Sequence, residues 1–397
     1  MLKKTKRTYC SKEDDSENKI GVNTIQSEDD LKRIEKDLEK LTEEETKELS
    51  EKSDTFNLFS LKKPVLDSDF PSDVKEYQKK YDQWKQYQAK YSFRPNKDPT
   101  ETSIILFPGQ GSQYVGMGEK LLFYPGVPEL FEIASDILEY DLLHLCLNGP
   151  KEELDKTVHC QPAIFVTSLA AIKKLEEDNP EILKSCIGTA GLSVGEYAAI
   201  VFAEIMDFRD ALSVLKVRAE KMQEASEMVP SGMMTVLCNY NSKLGLAMEA
   251  AKQFCKERLE IERPALDFIK DNAEDFGLKG RIKPLPVSGA FHTSLMQPAV
   301  KDMYKALDKA TINRSRRSLR VHSNYNGKDF RPRDILQILA QQIVKPVKWE
   351  QTMHVLYMRP QGTNFPQTYE AGPGNSLGKI IKRINLKAYE NYHNIET

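Results

Sequence analysis

The chain has 397 residues, enough for one large domain together with a smaller domain or an extension. Its net charge of −2 and its 40% apolar residues are ordinary for a globular protein and argue against nucleic-acid binding. Six scattered cysteines without a C-x-x-C pair argue against a zinc site or a disulfide framework and indicate a reducing compartment. No stretch approaches the ~18 apolar residues of a membrane helix.

Residues 1–100 differ from the rest and are predicted to form an N-terminal extension. A basic start is followed by a charged tract, Glu28–Asp54, which fits a solvated helix or a coiled-coil partner site. After a Pro71-Ser72 helix start, an aromatic stripe at helical spacing fits a face docked on its own domain or a partner site. The stripe consists of Val74, Tyr77, Tyr81, Trp84 and Tyr91.

From Ser103 onward, short apolar runs alternate with helical patterns, which predicts a mainly parallel sheet covered on both faces. The predicted strands are Ser103–Phe107, Cys186–Leu192, Met233–Leu237, Ile282–Val287 and, as the last one, Gln367–Ala371. The predicted helices are Pro162–Glu177, Val194–Ala203, Phe208–Ala225, Lys243–Arg258, Pro264–Ala273, 295–310, 333–343 and 348–358.

The first chemical signal is a G-x-S-x-G pattern, GLSVG at 191–195, between a predicted strand and a predicted helix. Glycines on both sides of Ser193 allow the strand and helix to approach closely around a sharp turn that exposes a serine. The N-terminus of the following helix offers backbone N–H groups to developing negative charge. Ser193 is therefore a candidate nucleophile.

A serine nucleophile needs a base, and His292 is the best placed of the six histidines. It ends an apolar strand that runs into a glycine turn before a helix, and α/β sites form at such strand ends. The remaining histidines read as ordinary surface or core residues; they are His144, His159, His322, His354 and His393.

Six motifs in this order resemble those of malonyl-CoA:acyl carrier protein transacylases, in particular the animal mitochondrial type. The resemblance covers roughly residues 101–390. The motifs are FPGQGSQ at 107–113, GLSVGE at 191–196, Arg218 in VRAEKMQEA, GAFH at 289–292, Gln342 in QQIVKPVKW, and EAGPG at 370–374.

The resemblance implies a role for each matching residue. Ser193 would be the nucleophile and His292 its base, oriented by the backbone carbonyl of Gln342. Gln110 and Val194 would donate N–H groups to the oxyanion. Arg218 would bind the free malonyl carboxylate, a task that suits a bidentate guanidinium, although without the resemblance it reads as an ordinary surface cation. The GAFH motif is the malonyl type, in contrast to the YASH of methylmalonyl enzymes.

The resemblance also implies the reaction and its setting. Malonyl would pass from malonyl-CoA to Ser193 and then to the phosphopantetheine thiol of acyl carrier protein, as a ping-pong step of fatty-acid synthesis. Neither a metal nor another cofactor is expected. The partners would be malonyl-CoA and acyl carrier protein, with no nucleic acid and no membrane span. The location would be the mitochondrial matrix.

The implied fold is α/β, with a hydrolase-like large subdomain that holds a mainly parallel sheet and a small ferredoxin-like subdomain. The large subdomain is assigned to 101–231 and 289–390, and the small one to 232–288. Two features depart from the family: Leu192 replaces the usual histidine before the nucleophile, and only Leu259–Arg263 separates the two small-subdomain helices. The two middle strands of the small sheet therefore have no counterpart, and the subdomain is expected to be shortened.

Two other functions remain open on the sequence. A catalytically impaired isoform or paralogue could act through protein contacts, and the missing strands favour this alternative. A serine hydrolase of acyl thioesters would need no buried cation facing the acyl tail, so Arg218 argues against it.

Overall fold

The computed structural model describes residues 96–397, except 230, 239–241, 257–263, 281, 286, 288, 314–318, 332 and 358–362. The predicted helices of the N-terminal extension, the charged tract and the aromatic stripe, lie outside the described residues.

A central parallel sheet and a separate two-stranded sheet form the β structure of the described residues. The strands are β1 (Ser103–Phe107), β2 (Cys186–Gly191), β3 (Met234–Val236), β4 (Ile282–Pro284), β5 (Arg320–His322), β6 (Gln367–Ala371) and β7 (Tyr392–Ile395). The central sheet has the order β5-β2-β1-β6-β7, and every neighbouring pair in it is parallel. The alternation of strands and helices in the sequence thus forms the parallel sheet that it predicts.

Helices connect the strands of the two sheets. They are α1 (Val127–Leu138), α2 (Leu142–Asn148), α3 (Lys151–Leu154), α4 (Thr157–Asp178), α5 (Pro180–Lys184), α6 (Gly195–Phe202), α7 (Phe208–Met228), α8 (Leu244–Lys256), α9 (Pro264–Asp271), α10 (Gln297–Leu307), α11 (Ile335–Gln342), α12 (Trp349–Tyr357), α13 (Ser376–Ile384) and α14 (Leu386–Tyr389).

The core lies on both faces of the sheet, which is why β1 is an unbroken apolar run that is buried throughout. Ile105 and Phe107 face the larger core cluster, while Ile104 and Leu106 face a second cluster on the other side. Helix α4 is apolar on most of its circumference because it lies inside the larger cluster.

Each strand predicted from the sequence is present, with ends that differ by no more than three residues. The prediction that Gln367–Ala371 is the last strand is wrong, because β7 follows it and pairs with it in parallel. Strand β7 carries a polar sequence of which only Ile395 is buried, so it has no apolar pattern to detect. Strand β5 was not predicted, because its three residues are too few to form a recognisable pattern.

The small sheet consists of β3 and β4, which pair antiparallel over three residues. Helices α8 and α9 pack with it around a small cluster of Ala247, Ala251, Ile269 and Leu278. Both strands lie no deeper than half-buried, and Leu246 on α8 keeps 58% of its surface exposed. Two strands therefore cover the helix pair incompletely, which agrees with a shortened ferredoxin-like arrangement.

We predict that two added strands, inserted between α8 and α9 to complete a four-stranded sheet, raise the thermal unfolding temperature. The added strands would bury the exposed apolar surface of α8, and each fully buried aliphatic side chain contributes about 1.5–3 kcal/mol. Differential scanning calorimetry of the two forms measures the change. Equal unfolding temperatures would show that the short connection is a tolerated variant.

Candidate active site

The candidate site lies at the carboxyl ends of β1, β2 and β5, where parallel α/β sheets commonly place their ligands. The backbone N–H of Leu192 donates to Phe107 O at 2.9 Å, which joins the ends of β1 and β2. Strand β5 pairs with β2 up to His322 and Ala190, so the residues that follow these two strands leave the sheet side by side.

A sharp turn between β2 and α6 presents Ser193. Its φ of 54° lies in the left-handed region, which costs energy for a residue with a side chain and is typical of a nucleophile on such a turn. A Cβ atom on Gly191 would lie 1.9 Å from the carbonyl carbon of Gly195, and one on Gly195 would lie 2.4 Å from Phe107 O. Only glycine fits at these two positions, so the G-x-S-x-G spacing follows directly from the close approach of strand and helix.

Ser193, His292 and Gln342 form a hydrogen-bonded chain. Nε2 of His292 lies 2.8 Å from Ser193 Oγ, and its Nδ1 lies 2.9 Å from the backbone carbonyl oxygen of Gln342. Because a carbonyl oxygen can only accept, Nδ1 carries the proton and Nε2 accepts from the serine hydroxyl. The imidazole is therefore held in the tautomer that a general base requires.

Arg218 is fully buried beside the serine, and its reading as a surface cation is wrong. Its NH2 group donates to Ser193 Oγ at 3.0 Å and to Gln342 Oε1 at 2.8 Å, while NH1 donates to Gln161 Oε1 at 2.5 Å. Within the described residues no carboxylate forms a salt bridge with Arg218, and its Nε is buried without an acceptor. The guanidinium is thus held by neutral groups and retains capacity for an anion.

The side chain of Gln342 connects the arginine to the turn that carries the nucleophile. While Oε1 accepts from Arg218, Nε2 donates to Ser193 O at 3.0 Å and to the Glu196 carboxylate. The same carboxylate accepts from the backbone N–H of Asn324 at 2.8 Å. One glutamine therefore contacts the nucleophile, the cation and a buried acid, in addition to orienting His292 through its main chain.

Burial and the Arg218 charge set the protonation of the site. Burial, followed by the positive charge of Arg218, lowers the pKa of His292 to about 4, so the imidazole is neutral at pH 7 and able to take a proton. Burial raises the pKa of Glu196 to about 7, against the opposing effect of its hydrogen bonds and of Arg218. Burial also lowers the pKa of the Arg218 guanidinium, which nevertheless stays charged.

Gln110 and Val194 flank the nucleophile from two chain segments. A Cβ on Gly109 would lie 2.5 Å from Leu192 O, so the loop after β1 touches the turn one residue before Ser193. Val194 directly follows the nucleophile and is the N-cap of α6. The side chain of Gln110 donates to Thr157 Oγ1 at 3.3 Å.

Leu192, the residue that replaces the family histidine, does not face a polar partner. Its side chain is half-buried against the second core cluster, together with Trp349 and Met353. The substitution therefore adds apolar packing beneath the turn. Of the other histidines, His322 and His354 are buried, His159 is half-buried, and His144 and His393 are exposed.

Within the described part of the chain, no three His, Cys, Asp or Glu side chains are grouped so that they could hold a metal ion. In the same residues, no helix combines the length and apolar character needed to cross a membrane.

Comparison with known proteins identifies the family. The model of the acyl transferase domain matches residues 104–361. A mitochondrial malonyl-CoA-acyl carrier protein transacylase of Mus musculus is 47% identical over 321 residues, 76% of this chain and 83% of the relative. The Homo sapiens relative of the same name is 47% identical over 330 residues, 78% of this chain and 84% of the relative. The chain belongs to the malonyl-CoA-acyl carrier protein transacylase family.

Solved transacylase structures share the fold. The transacylase of Streptococcus pneumoniae superposes with a TM-score of 0.63 at 30% identity and covers 74% of this chain and 96% of that one. A malonyl-transacylase in complex with its type II PKS acyl-carrier protein superposes with a TM-score of 0.62 at 30% identity, covering 75% of this chain and 96% of that one.

Three residues of the transacylase site had no role in the sequence analysis: Gln161, Glu196 and Asn324. Glu196 directly follows the G-x-S-x-G pattern, and that position was the only signal available for it. Gln161 lies inside an apolar helix, and Asn324 follows a three-residue strand, so neither belongs to a pattern that marks a site. The predicted residues Ser193, His292, Arg218 and Gln342 contact one another directly.

We predict that Gly191→Ala destroys the turn that carries Ser193, because its Cβ would overlap the backbone of Gly195. The substitution should lower the free energy of unfolding by more than about 3 kcal/mol, or it should disrupt the geometry of the site. The matched control on the same strand is Gly188→Ala, whose Cβ would lie 3.1 Å from the side-chain end of Leu356 and at an ordinary contact distance of 3.7 Å from Arg320 O. Urea unfolding measures the loss of unfolding free energy in both variants. Equal losses would contradict the steric argument.

Proposed function

We propose that this chain transfers malonyl from malonyl-CoA to the phosphopantetheine thiol of acyl carrier protein, through a malonyl-Ser193 intermediate. The observation that carries the proposal is a serine–histidine pair next to a buried arginine that has no carboxylate partner among the described residues. The pair can transfer an acyl group, and the arginine selects an acyl group that ends in a carboxylate.

The first half-reaction loads the enzyme. His292 Nε2 takes the proton from Ser193 Oγ as the oxygen attacks the thioester carbon, and the carbonyl oxygen acquires negative charge. The backbone N–H groups of Gln110 and Val194 are proposed to stabilise it; within the described residues neither donates to a protein acceptor. The intermediate collapses, the C–S bond breaks, and His292 returns the proton to the departing CoA thiolate.

The second half-reaction reverses these steps with a different thiol. His292 removes the proton of the phosphopantetheine thiol, the sulfur attacks the malonyl-Ser193 ester, and Ser193 leaves as an alcohol when His292 returns the proton. Every bond change is an acyl exchange between oxygen and sulfur, so the chemistry itself calls for no redox cofactor.

Arg218 is proposed to hold the free carboxylate of malonyl during both steps. Its Nε is unpaired and its NH2 group lies 3.0 Å from Ser193 Oγ, so a short acyl chain on Ser193 can place a carboxylate against the guanidinium. The amide oxygens of Gln161 and Gln342 hold the guanidinium without neutralising it. A charged pair in a buried site can then form with the substrate.

The relatives support the proposed location, and the separate sheets support the proposed domain division. Those of mouse, human and Drosophila melanogaster are named as mitochondrial, and we assign this chain to the mitochondrion, in the matrix. Acyl carrier protein is the proposed macromolecular partner, since a transacylase of the same fold is solved in complex with one. The division into a large subdomain, 101–231 with 289–390, and a small one, 232–288, agrees with the separate sheets.

Ser193→Ala is predicted to abolish acylation of the protein by malonyl-CoA, because no other group in the site replaces the hydroxyl. Losing the nucleophile of such an enzyme costs several orders of magnitude in rate, about 10⁶-fold in the best-studied cases. Intact-protein mass spectrometry after mixing with malonyl-CoA shows the adduct directly. A malonyl adduct that persists on the alanine variant would overturn the assignment.

Arg218→Ala is predicted to narrow the preference for malonyl-CoA over acetyl-CoA. A buried charge-assisted pair contributes about 2–4 kcal/mol, which is about 30- to 1000-fold in the ratio of the two kcat/KM values. Lys221→Ala is the matched control, because Lys221 lies one turn further along α7 and pairs with Glu224 at the surface. An unchanged ratio in the Arg218 variant would refute the carboxylate-binding role.

A further inference from the structure

One buried acid behind the nucleophile takes no part in the proposed chemistry. Glu196 lies in the first turn of α6, three residues after Ser193, and none of its surface is exposed. Helix N-termini favour negative charge, but a fully buried carboxylate still needs hydrogen bonds to offset its loss of water. The hydrogen-bond partners of Glu196 therefore indicate which protonation state of its carboxyl group the site stabilises.

Two of the donors to Glu196 are obligate donors, and a third is the Ser323 hydroxyl, which can donate or accept. Oε1 accepts from the backbone N–H of Asn324 at 2.8 Å, and a backbone N–H cannot accept in return. Oε2 accepts from Gln342 Nε2, and the orientation of that amide is fixed from both ends: its oxygen faces Arg218, and its nitrogen also faces Ser193 O at 3.0 Å. A protonated or amidated side chain would leave one of these donors without a full acceptor.

Each partner of Glu196 holds one half of the catalytic pair. Asn324 Oδ1 accepts from the backbone N–H of Ser193 at 2.5 Å, and Asn324 Nδ2 donates to Gly191 O at 2.6 Å, so this side chain clasps the turn from both sides. Gln342 orients His292 through its backbone carbonyl at 2.9 Å. The carboxylate thus joins the segment that fixes the nucleophile to the segment that fixes its base.

We propose that Glu196, as a carboxylate, is a positioning residue that sets the geometry between Ser193 and His292 and makes acyl transfer depend on its ionisation. When Glu196 takes up a proton, one of these two obligate donors faces a hydroxyl in place of a carboxylate oxygen, and the common hold of Glu196 on the Asn324 and Gln342 segments weakens. This inference rests on the proposed function, because its effect is measured on the acylation of Ser193.

The charges around Glu196 come from three elements. Arg218 on α7 favours the carboxylate, Tyr197 lies next to it on α6, and His292 precedes α10 with a pKa of about 4 that leaves it neutral. Burial outweighs Arg218 and the hydrogen bonds, which include one from Ser323, and raises the pKa of Glu196 to about 7. Two well-separated protonation events therefore follow, one at Glu196 and one at His292.

The test is the pH profile of the single-turnover acylation rate, measured from about pH 5 to about pH 9 by rapid mixing with malonyl-CoA and quenching for intact mass. The wild-type rate should fall below about pH 7, as Glu196 becomes protonated. Glu196→Gln should be about 10- to 100-fold slower at high pH and should lack this limb. Near the lower end of the range the two curves should converge, because protonated glutamic acid and glutamine each leave one donor without a full acceptor.

Two further variants separate positioning from a general loss of stability. Glu196→Asp keeps the charge and should retain the limb at a reduced rate. Glu370→Gln is the matched control: Glu370 is also buried and accepts from the N–H groups of Leu377 and Gly378 and from the Tyr392 hydroxyl. It should unfold at a lower temperature while keeping the wild-type pH profile.

The outcomes distinguish this inference from the proposed function. If the wild type forms no malonyl adduct at any pH, the proposed function fails. If it forms the adduct but its rate stays constant down to about pH 5, the positioning role is overturned, whether or not Glu196→Gln folds. The same conclusion follows if folded Glu196→Gln keeps the wild-type limb, or if Glu370→Gln loses it.

Discussion

A guanidinium buried without a carboxylate partner among the described residues is the constraint on which the rest of the site depends. Moving a charge out of water is costly, and the usual remedy is an ion pair with a neighbouring acid. Here Arg218 is stabilised by amide oxygens, a hydroxyl and the face of the Tyr197 ring, 5.6 Å from its centroid. A direct acid partner would have stabilised the free protein and filled the place that a substrate carboxylate needs.

The same charge organises the titrating groups around it. Burial and, after it, the charge of Arg218 lower the pKa of His292, which keeps the base neutral, and the same charge opposes the burial that raises the pKa of Glu196. Glu196 lies behind the nucleophile and is bound by other donors. The serine–histidine pair, the cation and the buried acid are electrostatically coupled. A substitution at one of them therefore changes the pKa values and energies of the others.

The parts that the sequence predicted are those with a local physical signature. Strand β1 is an apolar run, and the turn at Ser193 needs glycine on both sides, so both can be found without a structure. The burial of Arg218 depends on how α7 packs against the helices α4, α6 and α10, and no local pattern carries it. Asn324 lies in the turn after β5, 131 residues beyond Ser193 in the chain, and no spacing rule covers such a separation.

His292 is oriented by main chain, and this has a consequence for how the site can vary. In sites where an aspartate orients the histidine, a single side-chain replacement removes the orienting group. A backbone carbonyl is present whatever residue occupies position 342, so no substitution there can delete the acceptor of the His292 Nδ1 proton. The glutamine side chain at that position is free to be selected for its contacts to Arg218, Glu196 and the Ser193 carbonyl oxygen. Position 342 therefore has two functions that can change independently. The fold alone provides the carbonyl that orients His292, whereas the contacts to the arginine and the acid depend on the amino acid encoded there.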